Sequence, residues 1–241
     1  MRVAVLSDIH SNLVALDAVL ADAGRVDAVW HLGDVVGYGP DPDGVVARLI
    51  GVGAVGVRGN HDAAALGGPE IEWFNPEARA AAEWTRDTID GTTRAWLSAL
   101  PERHAIDRMT LVHGSPRDPI REYVSSPDIA RENLAVLATD FCLHGHTHLP
   151  VAFTLDRDDR LQVVVPDRDD RIDLAGQRAL INPGSVGQPR DGDPDASYLI
   201  LDPDTATATW HRVPYDIPAV QAAILAAGLP RRLADRLTFG A

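Results

Sequence analysis

Residues 1–62 read MRVAVLSDIHSNLVALDAVLADAGRVDAVWHLGDVVGYGPDPDGVVARLIGVGAVGVRGNHD, and the alternation inside that stretch decides the fold class. Val3 to Leu6 is a short continuous apolar run closed by Ser7 and Asp8, the pattern of a strand buried on both faces. Leu13, Leu16, Ala18 and Leu20 then recur at helical spacing up to Gly24. Val26 to Leu32 gives a second strand ending at Gly33-Asp34. After the loop GYGPDPDG, a helix from Val45 to Ile50 leads to a third strand, Ala54 to Val57. Strands alternating with helices imply βαβ crossovers and a parallel sheet.

Beyond residue 62 the texture changes. Pro76 to Leu100 is alanine-rich and helical, and Gly91-Thr92 predicts a break between two helices. Short β-like runs follow at Thr110 to His113, Phe141 to His144, Val151 to Leu155, Leu161 to Val165, Ala179 to Ile181, Tyr198 to Leu201 and Thr207 to Val213. One helix, Asp128 to Leu137, interrupts them, and the last predicted helix runs from Ile217 to Ala227 with Asp216 as N-cap and Gly228 just past its end. The pentapeptide DRDDR occurs at Asp156 to Arg160 and again at Asp167 to Arg171; both copies read as solvated turns.

The chain has 241 residues, 45% hydrophobic and 24% charged, enough to bury one substantial core in a single domain spanning 1–241. All 22 basic residues are arginines. Without a lysine, P-loop nucleotide hydrolases, protein kinases, Schiff-base enzymes and Ser-x-x-Lys acylases are excluded. A net charge of −13 argues against a surface that holds long nucleic acid, which needs clustered cations. The single cysteine, Cys142, forms no internal disulfide, no run approaches the length of a membrane span, and the first apolar run is too short for a signal peptide. The expectation is a cytoplasmic protein with no membrane partner; composition sets no oligomeric state.

Each of the first three strands ends in metal-type side chains: Asp8 and His10, then Asp34, then Asn60, His61 and Asp62. Ligands in α/β sheets collect at the carboxyl ends of strands, so these groups should meet in one crevice. His113-Gly114 and Gly145-His146-Thr147-His148 deliver further imidazoles after apolar runs. Residues i and i+2 of an extended chain face one side, which pairs Asp8 with His10 and His146 with His148. Asp8, His10, Asp34, Asn60, His113, His146 and His148 are therefore candidate ligands, with His61 left over. Mixed imidazole and carboxylate donors suit Mn, Fe, Zn, Co or Ni. Seven ligands are too many for one tetrahedral ion, and with a bridging carboxylate they serve two.

The ordered set D-x-H, G-D, G-N-H-D, H-G and G-H-T-H, from residue 8 to residue 148, resembles the calcineurin-like metallophosphoesterase superfamily. The strings GDVVGYGPDP and INPGSVGQPRDGDP resemble its compact bacterial and archaeal phosphodiesterase members. The resemblance implies a four-layer α/β/β/α sandwich of two mixed sheets, with a helical insertion at about 68–100 as a partial lid. It implies Asp8, His10, Asp34 and His148 on one metal and a bridging Asp34, Asn60, His113 and His146 on a second, with His61 donating a proton to the leaving group. The implied reaction is hydrolysis of a phosphodiester, nucleotide-type small molecules included, by in-line attack of a metal-bridging hydroxide. Manganese is the first expectation for both divalent transition metal ions, with Fe, Zn, Ni or Co as substitutes. Alternatives are a phosphomonoesterase, a nuclease acting on short substrates, and a non-catalytic metal-binding scaffold of the same fold.

The sequence departs from the phosphoprotein-phosphatase branch where that branch reads G-D-x-V-D-R-G: Gly37 and Tyr38 stand in place of its aspartate and arginine. That removes the residue that orients the catalytic histidine and the one that clamps a phosphate. Tyr38 could then pack against a base, sugar or aryl group, and Arg190 could help to hold phosphate. Other residues have plainer readings. His31 reads as a strand residue beside Trp30, and His144, one residue before Gly145-His146, reads as a supporting or core residue. His104 and His211 have no companion at useful spacing. Gly51 to Gly56 matches G-x-G-x-x-G but leads from a helix into a strand, the reverse of a dinucleotide fingerprint.

Overall fold

The computed structural model describes residues 1–241. The first strand, β1 (Val3–Leu6), is followed by α1 (Leu13–Ala23), β2 (Ala28–His31), α2 (Pro42–Gly51) and β3 (Val55–Gly56), and the three strands are parallel in the order β3-β2-β1. Helix α2 begins three residues before the periodicity indicates. Asp41 accepts from the Gly44 N–H at 2.9 Å and Pro42 opens the first turn, the capping arrangement a Pro at N1 favours. A short helix, α3 (Asn60–Ala65), starts directly at the G-N-H-D motif.

Two further helices, α4 (Pro76–Thr88) and α5 (Gly91–Ala99), follow a 3₁₀ turn at Pro69–Trp73; the break falls at Ile89-Asp90, because Asp90 caps α5 through the Thr93 N–H. The rear half adds β4 (Arg103–Ile106), β5 (Met109–Val112), α6 (Pro127–Val136), β6 (Phe141–Leu143), β7 (Val151–Leu155), β8 (Leu161–Val164), β9 (Arg171–Asp173), β10 (Arg178–Asn182), β11 (Ala196–Asp202) and β12 (Thr207–Val213). The helices α7 (Ile217–Ala226) and α8 (Arg231–Asp235) close the chain. One sheet has the order β3-β2-β1-β11-β12-β9 and the other β4-β5-β6-β10-β7-β8; each is parallel over three strands and antiparallel elsewhere.

The layering follows from alternation along the strands. Val3 and Val5 of β1 point into the core between the sheets, with Leu111, Phe141, Leu143, Ile181, Leu199 and Trp210. Ala4 and Leu6 point outward against Leu16 and Val19 of α1, Leu49 of α2 and Leu97 of α5. On the far side Val112, Cys142 and Leu180 pack under Ala130 and Leu134 of α6. Helix, sheet, sheet, helix is the expected four-layer sandwich. Within the expected insertion, α5 joins the outer helical layer and α4 packs with α7 and α8.

His31 packs against the Trp96 ring (5.4 Å between centroids), and its neighbour Trp30 faces the other side of the sheet. Both its ring nitrogens are buried without a hydrogen-bond partner, and burial lowers its pKa to about 3. The unfolded chain therefore binds a proton here that the folded chain refuses. Stability is fully present above about pH 6.5 and is lost as the pH falls toward 3, at ~1.4 kcal/mol per pH unit. Denaturant titrations of metal-stripped protein between pH 7 and 4 should contain this contribution alongside those of the other buried groups, and His31→Leu should flatten the observed slope by one proton's worth.

Candidate dinuclear metal centre

Five loops converge on one buried cluster. Asp8 and His10 leave β1, Asp34 leaves β2, Asn60 and His61 open α3, His113 follows β5, and His146 and His148 follow β6. The chain is locally contorted to deliver them. Of the eleven non-glycine residues with positive φ, seven lie in these loops (Asp8, His10, Ser11, Asp34, Tyr38, His146 and His148), and five of the seven are candidate ligands. Such conformations are disfavoured for L-residues and persist where the surroundings enforce them for function. The surroundings here are backbone: the loop after β10 clasps the loop after β1, with Val186 and Gly187 N–H groups donating to the Ser7 and Asp8 carbonyls. Asn182 also donates to the Gly145 carbonyl and the Thr147 hydroxyl.

Two groups form. Asp8, His10 and His148 make one, and Asp34, His113 and His146 make the other. In the first, His10 Nε2 and His148 Nε2 face each other at 3.2 Å, with Asp8 Oδ1 3.3 Å from His148 Nε2. In the second, His113 Nε2 lies 2.9 Å from Asn60 Oδ1 and 3.0 Å from His146 Nδ1. Asp34 stands between them, its Oδ2 3.3 Å from His113 Nε2 and 3.7 Å from His10 Nε2. All seven candidate ligands thus meet at one place, with Asp34 within 3.7 Å of an imidazole nitrogen in each group.

The donor set fits metal ions on two observations. Each imidazole uses its other nitrogen on a backbone carbonyl: His10 on Val36, His113 on Leu32, His148 on Gln188 and His146 on Arg121, at 3.2, 2.8, 2.6 and 3.1 Å. Those anchors fix the tautomer and aim Nε2, or Nδ1 in His146, inward, as ligating histidines require. Burial also holds His10, His146 and His148 below the ordinary imidazole range, in the neutral form that ligates. The second observation is Asp8. Its Oδ2 accepts from the Ser7 hydroxyl and the His146 N–H, but its Oδ1 is buried with no donor, and burial raises the carboxyl to about 7. A buried carboxylate oxygen without a donor calls for a cation.

His61 sits in the same pocket. Its backbone N–H donates to Asp34 Oδ1 at 2.8 Å, while its Nδ1 is buried without a partner. A Cβ at position 37 would lie 2.6 Å from that Nδ1, so the imidazole occupies the space that a larger residue there would fill. The ring is held by aromatic packing: Phe74 stacks on it at 4.4 Å and 26°, and Tyr38 lies 4.4 Å away on another side. The Tyr38 ring is 7% exposed and packs against His61 and His10. Arg190 reaches the Tyr38 hydroxyl (3.5 Å) and Gln188 Oε1 (2.9 Å), at the edge of the first ligand group.

Sequence reasoning assigned no role to several residues of this site. Asp62 is fully buried and takes the Val36 and Gly59 N–H groups on its two oxygens, tying the loop after β2 to the start of α3. Its place inside G-N-H-D could have revealed it. Phe74, Trp73, Arg121 and Tyr123 come to the cluster from the segments after α3 and β5; no local pattern marks them. His144 stays outside the cluster, 3.5 Å from Asn182 Nδ2, and both DRDDR copies are turns outside it.

The family model for the calcineurin-like phosphoesterase superfamily domain matches residues 1–206. The chain is 36% identical to an uncharacterized protein of Methanocaldococcus jannaschii, over 99% of this chain and 98% of that one. It is 30% identical to phosphodiesterase YfcE of Escherichia coli, over 85% and 89% respectively. Among solved structures, a metallophosphoesterase from Sphaerobacter thermophilus superposes with a TM-score of 0.91 at 44% identity, covering all of both chains.

Proposed function

Because the chain belongs to the calcineurin-like phosphoesterase superfamily and gathers its metal-type side chains in one cleft, we propose that it is a dinuclear metal-dependent hydrolase of small phosphodiesters. The observation that carries this reading is Asp34, one carboxylate oxygen facing His113 Nε2 and His10 Nε2 at once. Asp8, His10, Asp34 and His148 would hold one ion, and Asp34, Asn60, His113 and His146 the other, with manganese the ion of choice for this mixed donor set. Two such ions, when bound, supply water activation and charge neutralisation at phosphorus.

The chain's own residues supply the rest. Arg190 brings a cation to the rim, and His61 protonates the departing oxygen. Burial lowers the His61 ring to about 4, so it stands neutral near pH 7. To act as the acid the ring must take up a proton in the substrate complex, which the negative charge of a bound phosphate favours. With no arginine at position 38 to pair with a second phosphate charge, the site favours the singly charged diester over the dianionic monoester. In this reading the protein works in the cytoplasm on a small phosphate ester, with neither long nucleic acid nor membrane as partner.

The test is a substrate panel on protein stripped with chelator and reloaded with manganese. Bis-aryl and nucleotide diesters should be hydrolysed with a higher kcat/KM than the matching monoesters, and the stripped protein should be inactive on all. A monoester preference across several metals overturns the diester assignment; inactivity on every ester after reloading overturns the hydrolase reading and favours a scaffold.

A further inference from the structure

Against the second ligand group lies a cavity of about 210 Å³, walled by Trp73, Phe74, Tyr123, Arg121 and Glu70. Its floor is Asn60 and His146, two of the candidate ligands. The chain has five tryptophans and four tyrosines, and the one exposed member of each kind, Trp73 (59%) and Tyr123 (50%), faces this cavity. Large aromatic rings left uncovered beside a reactive site are placed to cover something else.

The walls are built onto the metal site. Tyr123 stacks on His146 with centroids 3.7 Å apart, and the Arg121 carbonyl accepts from His146 Nε2. Phe74 both lines the cavity and stacks on the His61 ring. The one cation here is already engaged: the Arg121 guanidinium lies over the Trp73 ring at 4.0 Å and pairs at 3.3 Å with Glu70, whose side chain is 11% exposed. With its positive charge matched, the cavity offers no net attraction to a second phosphate. It offers ring faces and a π-stacked guanidinium. Its volume falls below the ~300–1,000 Å³ of sites that enclose a whole ligand, which fits one arm of a larger molecule.

We infer that this cavity is the subsite for a flat, uncharged aromatic ring carried on the phosphate ester, stacked against Trp73 and Tyr123 while the phosphate lies at Asn60 and His146. The inference rests on the phosphoesterase reading and adds to it a specificity that the metal ligands alone do not give. It assigns recognition of the aromatic arm to two exposed rings, Trp73 and Tyr123.

Phosphonates that differ only in the attached group read the subsite directly. With manganese-loaded protein, inhibition constants and calorimetric dissociation constants are measured for methylphosphonate, phenylphosphonate and a nucleoside 5′-phosphonate. Stacking of one ring supports a preference for an aromatic over a methyl group of about 10- to 100-fold. Preference for phenylphosphonate identifies a directly attached ring, and preference for the nucleoside compound identifies a base carried on its sugar. Trp73→Ala and Tyr123→Ala should each reduce the ratio toward one, and Tyr123→Phe, which keeps the ring, should preserve it. A wild-type ratio near one for both aromatic compounds, or a ratio unmoved in both alanine variants, overturns the subsite and leaves the hydrolase reading standing. If none of the three phosphonates binds and no diester is hydrolysed, the phosphoesterase reading falls and the subsite with it.

Discussion

Replacing Asp34 with alanine should empty both metal positions at once. The carboxylate is fully buried, its Oδ2 lies within 3.7 Å of an imidazole nitrogen in each ligand group, and its Oδ1 takes the His61 N–H. Removing it costs one ligand to each ion and also frees the start of α3. A partner one step removed from a metal typically accounts for 10- to 100-fold in affinity or activity, so a ligand shared by two ions should account for more than about 100-fold. Elemental analysis after reconstitution should give two manganese ions per wild-type chain and fewer than one in Asp34→Ala, with diester hydrolysis falling in step. A variant that keeps one full ion shows that Asp34 does not bridge. Saturation of the wild type at one ion removes the dinuclear proposal altogether. His113→Ala, by contrast, strips a ligand from the second group alone and should leave one ion bound.

His61→Ala should show the opposite signature, with metal retained and turnover lost. The ring belongs to neither ligand group, and its place between Phe74 and Tyr38 sets it at the cleft without a carboxylate partner. Proton donation by a positioned imidazole is worth about 10²–10⁴-fold. The loss should have that size for esters of alkyl alcohols, whose departing oxygen needs a proton. It should be far smaller for a nitrophenyl ester, whose leaving group departs as a stable anion. Equal losses on both, with two ions still bound, would show that His61 positions substrate and does not move a proton.

The sequence disclosed what is local. The β1-α1-β2 unit was legible because strands buried on both faces read as continuous apolar runs, and because Gly24 marks the end of the helix between them. The seven candidate ligands were legible because each follows such a run. Strands β4 and β9 were not, since Arg103–Ile106 and Arg171–Asp173 are short, charged edge strands whose composition protects an open sheet edge and hides the strand pattern. Helix α3 was hidden for another reason, its six residues being chosen by the site more than by helix periodicity. Tyr38 shows the limit most clearly. Its position in the motif indicated a neighbour of the site, but which side of the His61 ring it occupies depends on α4, α7 and α8, which pack around it from elsewhere in the chain. Trp73 and Tyr123 lie fifty residues apart in the sequence, and only the fold sets them around one cavity.

The two ligand groups have a mechanical consequence. Each draws donors from both sheets: Asp8 and His10 from the first with His148 from the second, and Asp34 and Asn60 from the first with His113 and His146 from the second. An ion held this way is a cross-link, closing a loop of well over a hundred residues between His10 and His148, in a chain whose one cysteine is buried and free. Cross-links over long loops confine the unfolded chain most, and an ion at a hundred times its dissociation constant adds about 2.7 kcal/mol to stability. Ions bound at the two groups would therefore be removable staples of this sandwich. Its melting temperature should track free metal concentration, and a cell short of the metal would lose the durability of the fold together with its chemistry.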